Sequence, residues 1–518
     1  MKLWFVSMEC ANIAEAGGVK NVTFSLCKEF AALGHDVSLF IPVFKCNSWE
    51  KLSNIQKDFA KTKIQICKKE EKVSYTKAVY EECSFDVILI NHPVFAEKEA
   101  VYTYTANEEK LNPKHKKGEG HEDFLLKDAL FQKSVCSYLS LIDDEDIPQI
   151  IHCQDASTAL LPAFISQTQM AAKIKTLVTI HNAGPFYHHE YANIKDAEFY
   201  TNLPEKLLEA SRNGERIEPF LIAANAGAKI LTVSRDYAKE LKDPFNIENT
   251  DGLSKIFYKK RIPIKGITNG FDFNRYNPAN TELSKLPYAF NPETGDLEGK
   301  YKSRQFFIDK VVNSDEYPCQ GIKKYGSLSV GNKGQERFVA YHGRITSQKG
   351  INILIAAIPN IIKARDEVRF VIAGQGEPGL EEQLAELTKA YPGKIVYLNG
   401  YNQAVVRMAI AACDFIALPS YFEPCGLEDF IAQAFGTLPL AHKTGGLKKI
   451  LNNKSGFLYK ENTNYDLEAC ILKALSKKTS KINKMIIFAS NYVHKEYVWT
   501  KVVGEKYLKF FKKILRKR

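Results

Sequence analysis

The sequence repeats one pattern along most of its length: a short, continuous apolar run followed by a segment with helical periodicity. The apolar runs are 3–8, 36–43, 86–90, 149–153, 176–181, 229–234, 337–343, 368–374, 394–400, 414–420 and 437–443. Strands that are apolar on both faces are typical of parallel sheets covered by helices on both sides. The predicted fold class is therefore α/β, with two doubly wound, Rossmann-like domains. Because such sheets bind ligands at the carboxyl ends of their strands, we expect the site in a central cleft that both domains face.

The pattern is interrupted once, and the interruption suggests the domain boundaries. Residues 273–335 are rich in Asn, Pro, Gly and charged residues, which predicts a linker and inter-domain segment. The predicted N-terminal domain is then 1–272 and the C-terminal domain 336–492. A helical tail, 493–518, follows, and the polar segment 104–122 is expected to be a surface loop.

The net charge of +11 comes from 71 basic and 60 acidic residues, but its distribution matters more than its sum. The segment 506–518 carries seven basic residues and no acidic one, so the remainder has a net charge of +4. We therefore expect no nucleic-acid partner. Leu508, Phe511 and Leu515 form one stripe of the tail, which is expected to pack on the body with its basic face in water. A helix that binds a membrane surface or a partner is the alternative.

Composition excludes several other classes of protein. No run of about 20 apolar residues is present, so no membrane span is expected. The 11 cysteines are scattered and never spaced as Cys-x-x-Cys. We therefore predict neither a disulfide framework nor a metal site, and a cytoplasmic location.

The first chemical motif is HGRITSQKGI, which follows the apolar run 337–343. Arg344 and Lys349 stand between that predicted strand and a predicted helix. Two cations beside a helix N-terminus suit a diphosphate, whose charge side chains and backbone N–H groups would share. A solvated pair of surface cations is the alternative.

Two further motifs lie at the ends of the predicted strands 414–420 and 437–443. Glu423 lies in SYFEPCGL, where its carboxylate could accept hydrogen bonds from sugar hydroxyls, or could cap a helix. The glycines of TGGL, residues 444–447, let backbone N–H groups approach an anion closely, or form a plain turn.

Together these motifs resemble the donor-binding domain of bacterial glycogen synthases and plant starch synthases. The segments, in order, are GRITSQKG, GQGEP, PSYFEPCGL and GTLPLAHKTGGL. The N-terminal half adds EAGGVKNV, HCQDAST, TIHNAG, TVSRDYAKEL and KGITNGFD. The resemblance implies the GT-B fold and transfer of glucose, with retention, from a nucleotide-glucose to an α-1,4-glucan. It implies no metal and no other cofactor.

The resemblance also assigns residues to roles. Diphosphate binding falls to Arg344 and Lys349, binding of the glucose hydroxyls to Glu423, and His181 would lie near the reactive carbon, with Asp155 lining the cleft. The remaining substrate-binding positions are Gly17, Gly18, Asn269, Cys425, Gly426, Leu427, Thr444, Gly445 and Gly446.

The N-terminal half departs from the family pattern at four positions. Glu15 stands where the family has a Lys that contacts the phosphates, and an anion there would repel them by up to about 4 kcal/mol. Asn21 replaces the usual Asp, and Ala156 and Ser157 replace Trp and His. Lys20 could compensate for the missing Lys.

The predicted function is that of a glycogen or starch synthase that uses ADP-glucose. The expected partners are ADP-glucose or UDP-glucose, and glycogen or another α-1,4-glucan. A glycosyltransferase with another donor or acceptor is one alternative. The other alternative is a non-catalytic homologue that binds glucan or has a regulatory role.

Overall fold

The computed structural model describes residues 1–331 and 335–516. Residues 332–334 of the predicted linker and 517–518 of the predicted tail lie outside the described residues. The chain forms two compact units. The first comprises Met1–Asn269 and the tail from Trp499 onward, and the second is Gly270–Val498.

The first unit is built on a nine-stranded sheet in the order β11-β10-β7-β6-β1-β2-β5-β4-β3. All neighbours from β11 to β5 are parallel, whereas β4 and β3 are antiparallel. β8 and β9 form a separate two-stranded ribbon. The strands are β1 (Lys2–Val6), β2 (Asp36–Pro42), β3 (Leu52–Ile66), β4 (Lys69–Tyr80), β5 (Phe85–Asn91), β6 (Ile150–Gln154), β7 (Lys175–Ile180), β8 (Arg212–Asn213), β9 (Arg216–Ile217), β10 (Lys229–Thr232) and β11 (Ile264–Gly266).

The second unit is built on a seven-stranded sheet in the order β12-β15-β14-β13-β16-β17-β18. Only β12 is antiparallel to its neighbour among the described strands of this sheet. The strands are β12 (Ile322–Gly326), β13 (Arg337–His342), β14 (Val368–Gly374), β15 (Ile395–Gly400), β16 (Phe415–Leu418), β17 (Leu438–His442) and β18 (Phe457–Tyr459).

Helices connect and cover the strands of both sheets. In chain order they are α1 (Val19–Ala32), α2 (Pro93–Ala96), α3 (Ala106–Leu111), α4 (Phe124–Tyr138), α5 (Leu161–Ser166), α6 (Ile194–Thr201), α7 (Glu205–Glu209), α8 (Pro219–Asn225), α9 (Tyr237–Glu240), α10 (Leu253–Lys259), α11 (Thr281–Ser284), α12 (Glu298–Phe306), α13 (Ile351–Ala364), α14 (Pro378–Ala390), α15 (Gln403–Ala412), α16 (Glu428–Ala434), α17 (Asn464–Leu475), α18 (Thr479–Tyr497), α19 (Trp499–Lys501) and α20 (Leu508–Arg516). Among the described helices, none is both long and apolar enough to cross a membrane.

The fold class predicted from the apolar runs is confirmed. Each predicted run overlaps an observed strand, and β14 coincides with its prediction. The hairpin β3–β4 was not predicted, because its outer strand β3 lies at a sheet edge and is mostly exposed. Charged residues on such edges hide the apolar signal of a strand.

The segment 104–122, expected to be a surface loop, contains the helix α3. Thr105 caps this helix in a reciprocal arrangement with Glu108: each side chain accepts a hydrogen bond from the other residue's backbone N–H. This is the capping box, whose pattern is visible in the sequence as Thr-x-x-Glu.

The segment 273–335, expected to be a linker, is instead folded as part of the second unit where it is described. It contributes α12 and the edge strand β12. The buried ammonium of Lys300 in α12 donates to the carbonyls of Ala411 (2.6 Å), Cys413 (2.8 Å) and Phe435 (3.0 Å). Lys300, one of the polar residues that indicated a linker, thus anchors α12 to the second unit. Burial lowers the pKa of Lys300 to about 7.

The tail returns to the first unit. Phe511 is buried and stacks on Phe30 of α1, with ring centroids 5.0 Å apart and planes 5° apart. Of the predicted apolar stripe, Leu508 and Leu515 are only half-buried, and Ile514 is buried beside Phe511. The basic residues Lys509, Lys512, Lys513 and Arg516 are exposed.

Candidate active site

In the second unit, three loops carry the predicted donor-site residues. They follow β13, β16 and β17, which are adjacent and parallel in the sheet. Because parallel strands end at the same edge, the three motifs lie side by side. The structure therefore brings together the residues predicted after 343, after 419 and after 443.

Lys349 and Glu423 form the central contact of this edge, with 2.6 Å between Nζ and Oε2. Burial lowers the pKa of the Lys349 ammonium, but the carboxylates of Glu423 and Glu428 outweigh it and raise that pKa above its ordinary value. Lys349 is therefore a fixed cation. Glu423 also accepts a hydrogen bond from the Ser420 hydroxyl at 3.3 Å.

Gly350 explains why Lys349 reaches Glu423. Gly350 has φ +69°, and a Cβ placed on it would lie 1.9 Å from the carbonyl oxygen of Pro419. Only glycine combines this backbone conformation with such a close approach. The turn into α13 consequently packs directly on the end of the β16 segment.

Arg344 is the more accessible of the two predicted cations. Its side chain is exposed, and Nη2 donates to Oε1 of Gln348 at 2.9 Å. Its backbone carbonyl accepts a hydrogen bond from the hydroxyl of buried Tyr341 at 2.9 Å. The backbone is thus held while the guanidinium extends toward solvent.

The loops 420–427 and 444–447 are packed on each other. The N–H of Gly446 donates to the carbonyl of Glu423 at 2.7 Å. A Cβ on Gly446 would lie 2.1 Å from the carbonyl oxygen of Cys425. The second glycine of TGGL is therefore required by this contact.

Sequence analysis did not identify Lys449 and Asp429, an ion pair that contacts these loops. Lys449 donates to the carbonyls of Cys425 and Gly426 and pairs with buried Asp429 at 2.9 Å. Burial raises the pKa of Asp429 to about 6 although Lys449 opposes the shift. The partners are 20 residues apart, so no spacing rule would have connected them.

In the first unit, Asp155 and His181 follow the neighbouring strands β6 and β7. Asp155 has φ +67°, and its Oδ1 accepts the backbone N–H of His181 at 3.3 Å. Burial raises the pKa of Asp155 to about 7, against the hydrogen bonds that its carboxylate accepts. A strained backbone at a strand end is common at functional sites.

The imidazole of His181 contacts Gln154, a residue that sequence analysis did not single out. Nε2 of His181 lies 2.8 Å from Oε1 of Gln154, whose side chain is buried. Burial lowers the pKa of His181 to about 3. His181 is therefore a neutral imidazole whose orientation Gln154 fixes.

The loop with Gly17 and Gly18 leads into α1 and is held by Glu9. This buried carboxylate accepts the backbone N–H groups of Gly17 and of Ala16, the latter at 3.1 Å. Burial raises the pKa of Glu9 despite these hydrogen bonds. An internal anion thus already occupies N–H groups of the glycine loop.

Asn269 ends the first unit. Its backbone N–H donates to the carbonyl of Val233 at 3.1 Å. Its side-chain oxygen is buried and accepts no hydrogen bond from the described residues.

Comparisons with known proteins identify both parts of the chain. The family model of the starch synthase catalytic domain matches residues 2–256, and that of glycosyl transferases group 1 matches residues 329–491. The glycogen synthase of Thermodesulfovibrio yellowstonii is 26% identical, over 100% of this chain and 99% of that protein. The glycogen synthase of Kosmotoga olearia is 28% identical, over 99% and 98%. The chain belongs to the glycogen synthase and starch synthase family.

Solved structures confirm the GT-B fold of this family member. The catalytic domain of starch synthase IV from Arabidopsis thaliana, bound to ADP and acarbose, superposes with a TM-score of 0.80 at 20% identity, covering 100% of this chain and 99% of that one. A sucrose-phosphate synthase from Thermosynechococcus elongatus shares the fold more distantly, with a TM-score of 0.55 at 14% identity over 99% of each chain.

The departures from the family pattern have a structural context. Glu15, at the family's Lys position, pairs with Lys20, with 2.8 Å between Oε2 and Nζ. Ala156 and Ser157 are buried in the turn after Asp155, and Asn21 lies half-buried in α1. Glu15 and Lys20 thus form a pair of opposite charges at the rim of the glycine loop.

Proposed function

We propose that this chain transfers glucose, with retention and in the cytoplasm, from ADP-glucose to the non-reducing end of an α-1,4-glucan. One observation carries the proposal: the contact between Lys349 and Glu423 beside the packed loops 420–427 and 444–447. It combines a cation for a diphosphate, a carboxylate for sugar hydroxyls and closely packed backbone in one place. The roles below are proposals of the same kind.

The second unit would bind the donor. Lys349 and Arg344 would neutralise the diphosphate as it departs, which is where negative charge develops. Cations already in place stabilise that charge without reorganisation, commonly the largest contribution to such a reaction. Glu423 would accept hydrogen bonds from the glucose hydroxyls. Cys425, Gly426 and Leu427 would line the sugar pocket, and Thr444, Gly445 and Gly446 would line the phosphate site.

The first unit would supply the acceptor side. In the neutral imidazole of His181, Nε2–H donates to Oε1 of Gln154, so Nδ1 can accept a hydrogen bond from a sugar hydroxyl. Asp155, with its pKa near neutrality, can exchange a proton in the working pH range. Gly17, Gly18 and Asn269 would contribute backbone and amide contacts.

The test is a donor comparison. Purified protein and glycogen are incubated with ADP-glucose or with UDP-glucose, and release of the nucleoside diphosphate is measured. We expect turnover with ADP-glucose, and a loss of about 10²–10³-fold in kcat for Lys349→Ala or Glu423→Ala. Lys389→Ala, at an exposed ion pair with Glu386, is the matched control and should retain wild-type activity. Absence of turnover with both donors over several glucans would refute the proposal.

The pair Glu15–Lys20 favours a second candidate, a glucan-binding or regulatory protein without turnover. A carboxylate where the family has a cation, already paired with the nearest Lys, weakens phosphate binding by the first unit. On this candidate, Glu15→Lys would create turnover that the wild-type protein lacks. Turnover by the wild-type protein with either donor would exclude it.

A further inference from the structure

The loop that follows His181 presents an aromatic ring that folding does not explain. Phe186 is 100% exposed, and its backbone has φ +74°. Exposed apolar surface is unfavourable in water, and the left-handed backbone is unfavourable for any residue with a Cβ. The folded chain gains no contact in return, so an external ligand is the natural explanation.

The first arm of this loop is held firmly. The backbone N–H of Ala183 is bonded to the hydroxyl of buried Tyr237 at 2.9 Å. His188 then contacts two groups: Nδ1 lies 2.7 Å from Oε2 of Glu218, and Nε2 lies 2.9 Å from the carbonyl of Ala183. The buried imidazole of His188 therefore joins the start of the loop, at Ala183, to the side chain of Glu218.

The second arm is held equally well. Nδ1 of His189 is hydrogen-bonded to Oδ2 of Asp128 in α4. The backbones of Tyr191 and Ile217 exchange two hydrogen bonds, of 3.1 and 2.9 Å. Both arms are thus fixed by hydrogen bonds, and at the tip the N–H of Tyr187 donates to the carbonyl of Gly184 at 3.1 Å.

His188, Glu190 and Glu218 also lie close enough together to suggest a metal site. The contacts that these three side chains already make argue against a metal site. Both nitrogens of His188 face acceptors, and Arg216 pairs with Glu190 at 2.6 Å. The cluster is thus an ion-pair network that braces the loop.

The composition of the tip defines the ligand that it suits. Residues 182–187, Asn-Ala-Gly-Pro-Phe-Tyr, contain no charged side chain, so a charged ligand would find no counter-charge. A single ring is too small an apolar surface to bind a membrane. A pyranose, by contrast, has one apolar C–H face and a rim of hydroxyls. The ring of Phe186 matches the face, and the neighbouring Asn182 and Tyr187 offer polar groups for the rim.

We infer that Phe186 is an acceptor-binding residue, whose ring stacks on a glucose unit of the α-glucan while the braced loop holds it in place. The inference rests on the proposed function for the identity of the sugar chain. His181 lies five residues before Phe186, so the Cα atoms of these two residues are at most about 18 Å apart. Phe186 would accordingly bind the acceptor near the reacting end and leave the donor site untouched.

The first experiment compares Phe186→Ala with Phe245→Ala, a matched control because Phe245 is also in the first unit and 91% exposed. For Phe186→Ala we expect KM for maltoheptaose and glycogen to rise about fivefold to tenfold, with KM for the donor unchanged. Phe245→Ala should behave as wild type. An equal rise in both variants, or a change in the donor KM alone, would contradict the inference.

The second experiment measures binding without turnover, by mobility in gels that contain glycogen and by calorimetry with maltoheptaose. Phe186→Gly should lose glucan affinity while its thermal midpoint stays equal or rises, because glycine relieves the positive φ. Phe186→Trp should retain affinity. A fall in the midpoint together with unchanged affinity would show a structural role instead.

The two experiments separate this inference from the proposed function. Wild-type protein that binds maltoheptaose through Phe186 but does not turn over refutes the proposed function and leaves the inference standing. Turnover with identical glucan affinity in wild type, Phe186→Ala and Phe245→Ala refutes the inference alone. Wild-type protein that binds no glucan refutes both.

Discussion

At the scale of single residues, burial keeps His181 neutral, and Gln154 is its uncharged hydrogen-bond partner. An amide presents a neutral partner at 2.8 Å, and burial keeps the imidazole neutral. A carboxylate at the same place would stabilise the imidazolium and raise the pKa of His181 from about 3 toward neutrality. The charge of the side chain at position 154 therefore affects the pKa of His181.

We predict that Gln154→Glu gives an enzyme whose activity falls as the pH is lowered below neutrality. In the wild-type protein His181 does not titrate above pH 4, so any acidic limb has another cause, such as Asp155 with its pKa of about 7. The measurement is kcat/KM for the glucan between pH 5.5 and 9. Gln154→Asn, which adds no charge, is the control; the same profile in both variants would contradict the role given to Gln154.

Asp155 illustrates the cost of a buried carboxylate. Its pKa of about 7 in the folded protein exceeds that of an ordinary Asp. The folded state thus binds a proton more tightly than the unfolded state does, and stability falls as the pH rises toward 7. We predict that Asp155→Asn raises the thermal midpoint at pH 8, that this gain shrinks toward pH 4, and that activity is lost. Thermal unfolding at the two pH values measures this, and a gain that is the same at both would contradict it.

Residue patterns predicted the positions of the candidate site better than its contacts. Motif order along the chain predicted that Arg344, Lys349, Glu423 and TGGL follow strands of one domain, whereas the adjacency of β13, β16 and β17 in the sheet comes from the structure. The hydrogen bonds of Glu9 to nearby backbone N–H groups follow no motif. Gln154 carries no signal either, because its hydrogen bond joins it to His181 on the next strand of the sheet. Such contacts depend on which strands become neighbours.

At the scale of secondary-structure elements, α12 depends on one buried ammonium. Lys300 satisfies three backbone carbonyls and the hydroxyl of Thr437 at 2.9 Å. We predict that Lys300→Met lowers the free energy of unfolding by about 3 kcal/mol or more, because these buried acceptors lose their donor. Lys302→Met, in the same helix with an exposed ion pair to Glu298, should change it by less than about 1 kcal/mol. Urea unfolding followed by circular dichroism compares the two, and equal effects would refute the anchoring role.

The same element shows where sequence-based prediction fails. The parallel strands that sequence analysis identified were located within one or two residues, because their apolar runs are unbroken, whereas the three-residue strands β11 and β18 were missed. α12 and β12 lie in a polar segment, and the residues that α12 buries are Gly299, Lys300 and Ser303, none of which is a large apolar residue. Composition alone therefore cannot distinguish a linker from a covering element.

At the scale of the whole molecule, the chain leaves the first unit at residue 269 and returns to it at residue 499. In the returning segment, Phe511 stacks on Phe30, and its ring lies 5.9 Å from the ring of buried His152 in β6. We predict that Phe511→Ala destabilises the first unit by about 3–5 kcal/mol. Hydrogen exchange should then accelerate in α1 and β6 but not in β13–β17. Lys512→Ala, on the exposed face, is the control, and uniform acceleration in both units would contradict the assignment.

This return has a consequence for the order of synthesis. The second unit is one continuous stretch of chain that is inserted between the two parts of the first unit. The first unit, although made first, exposes Phe30 until the segment from Trp499 onward has left the ribosome. The apolar surface around Phe30 therefore stays uncovered until translation is nearly finished. A prematurely terminated chain that lacks Phe511 would expose this surface to chaperones or proteases.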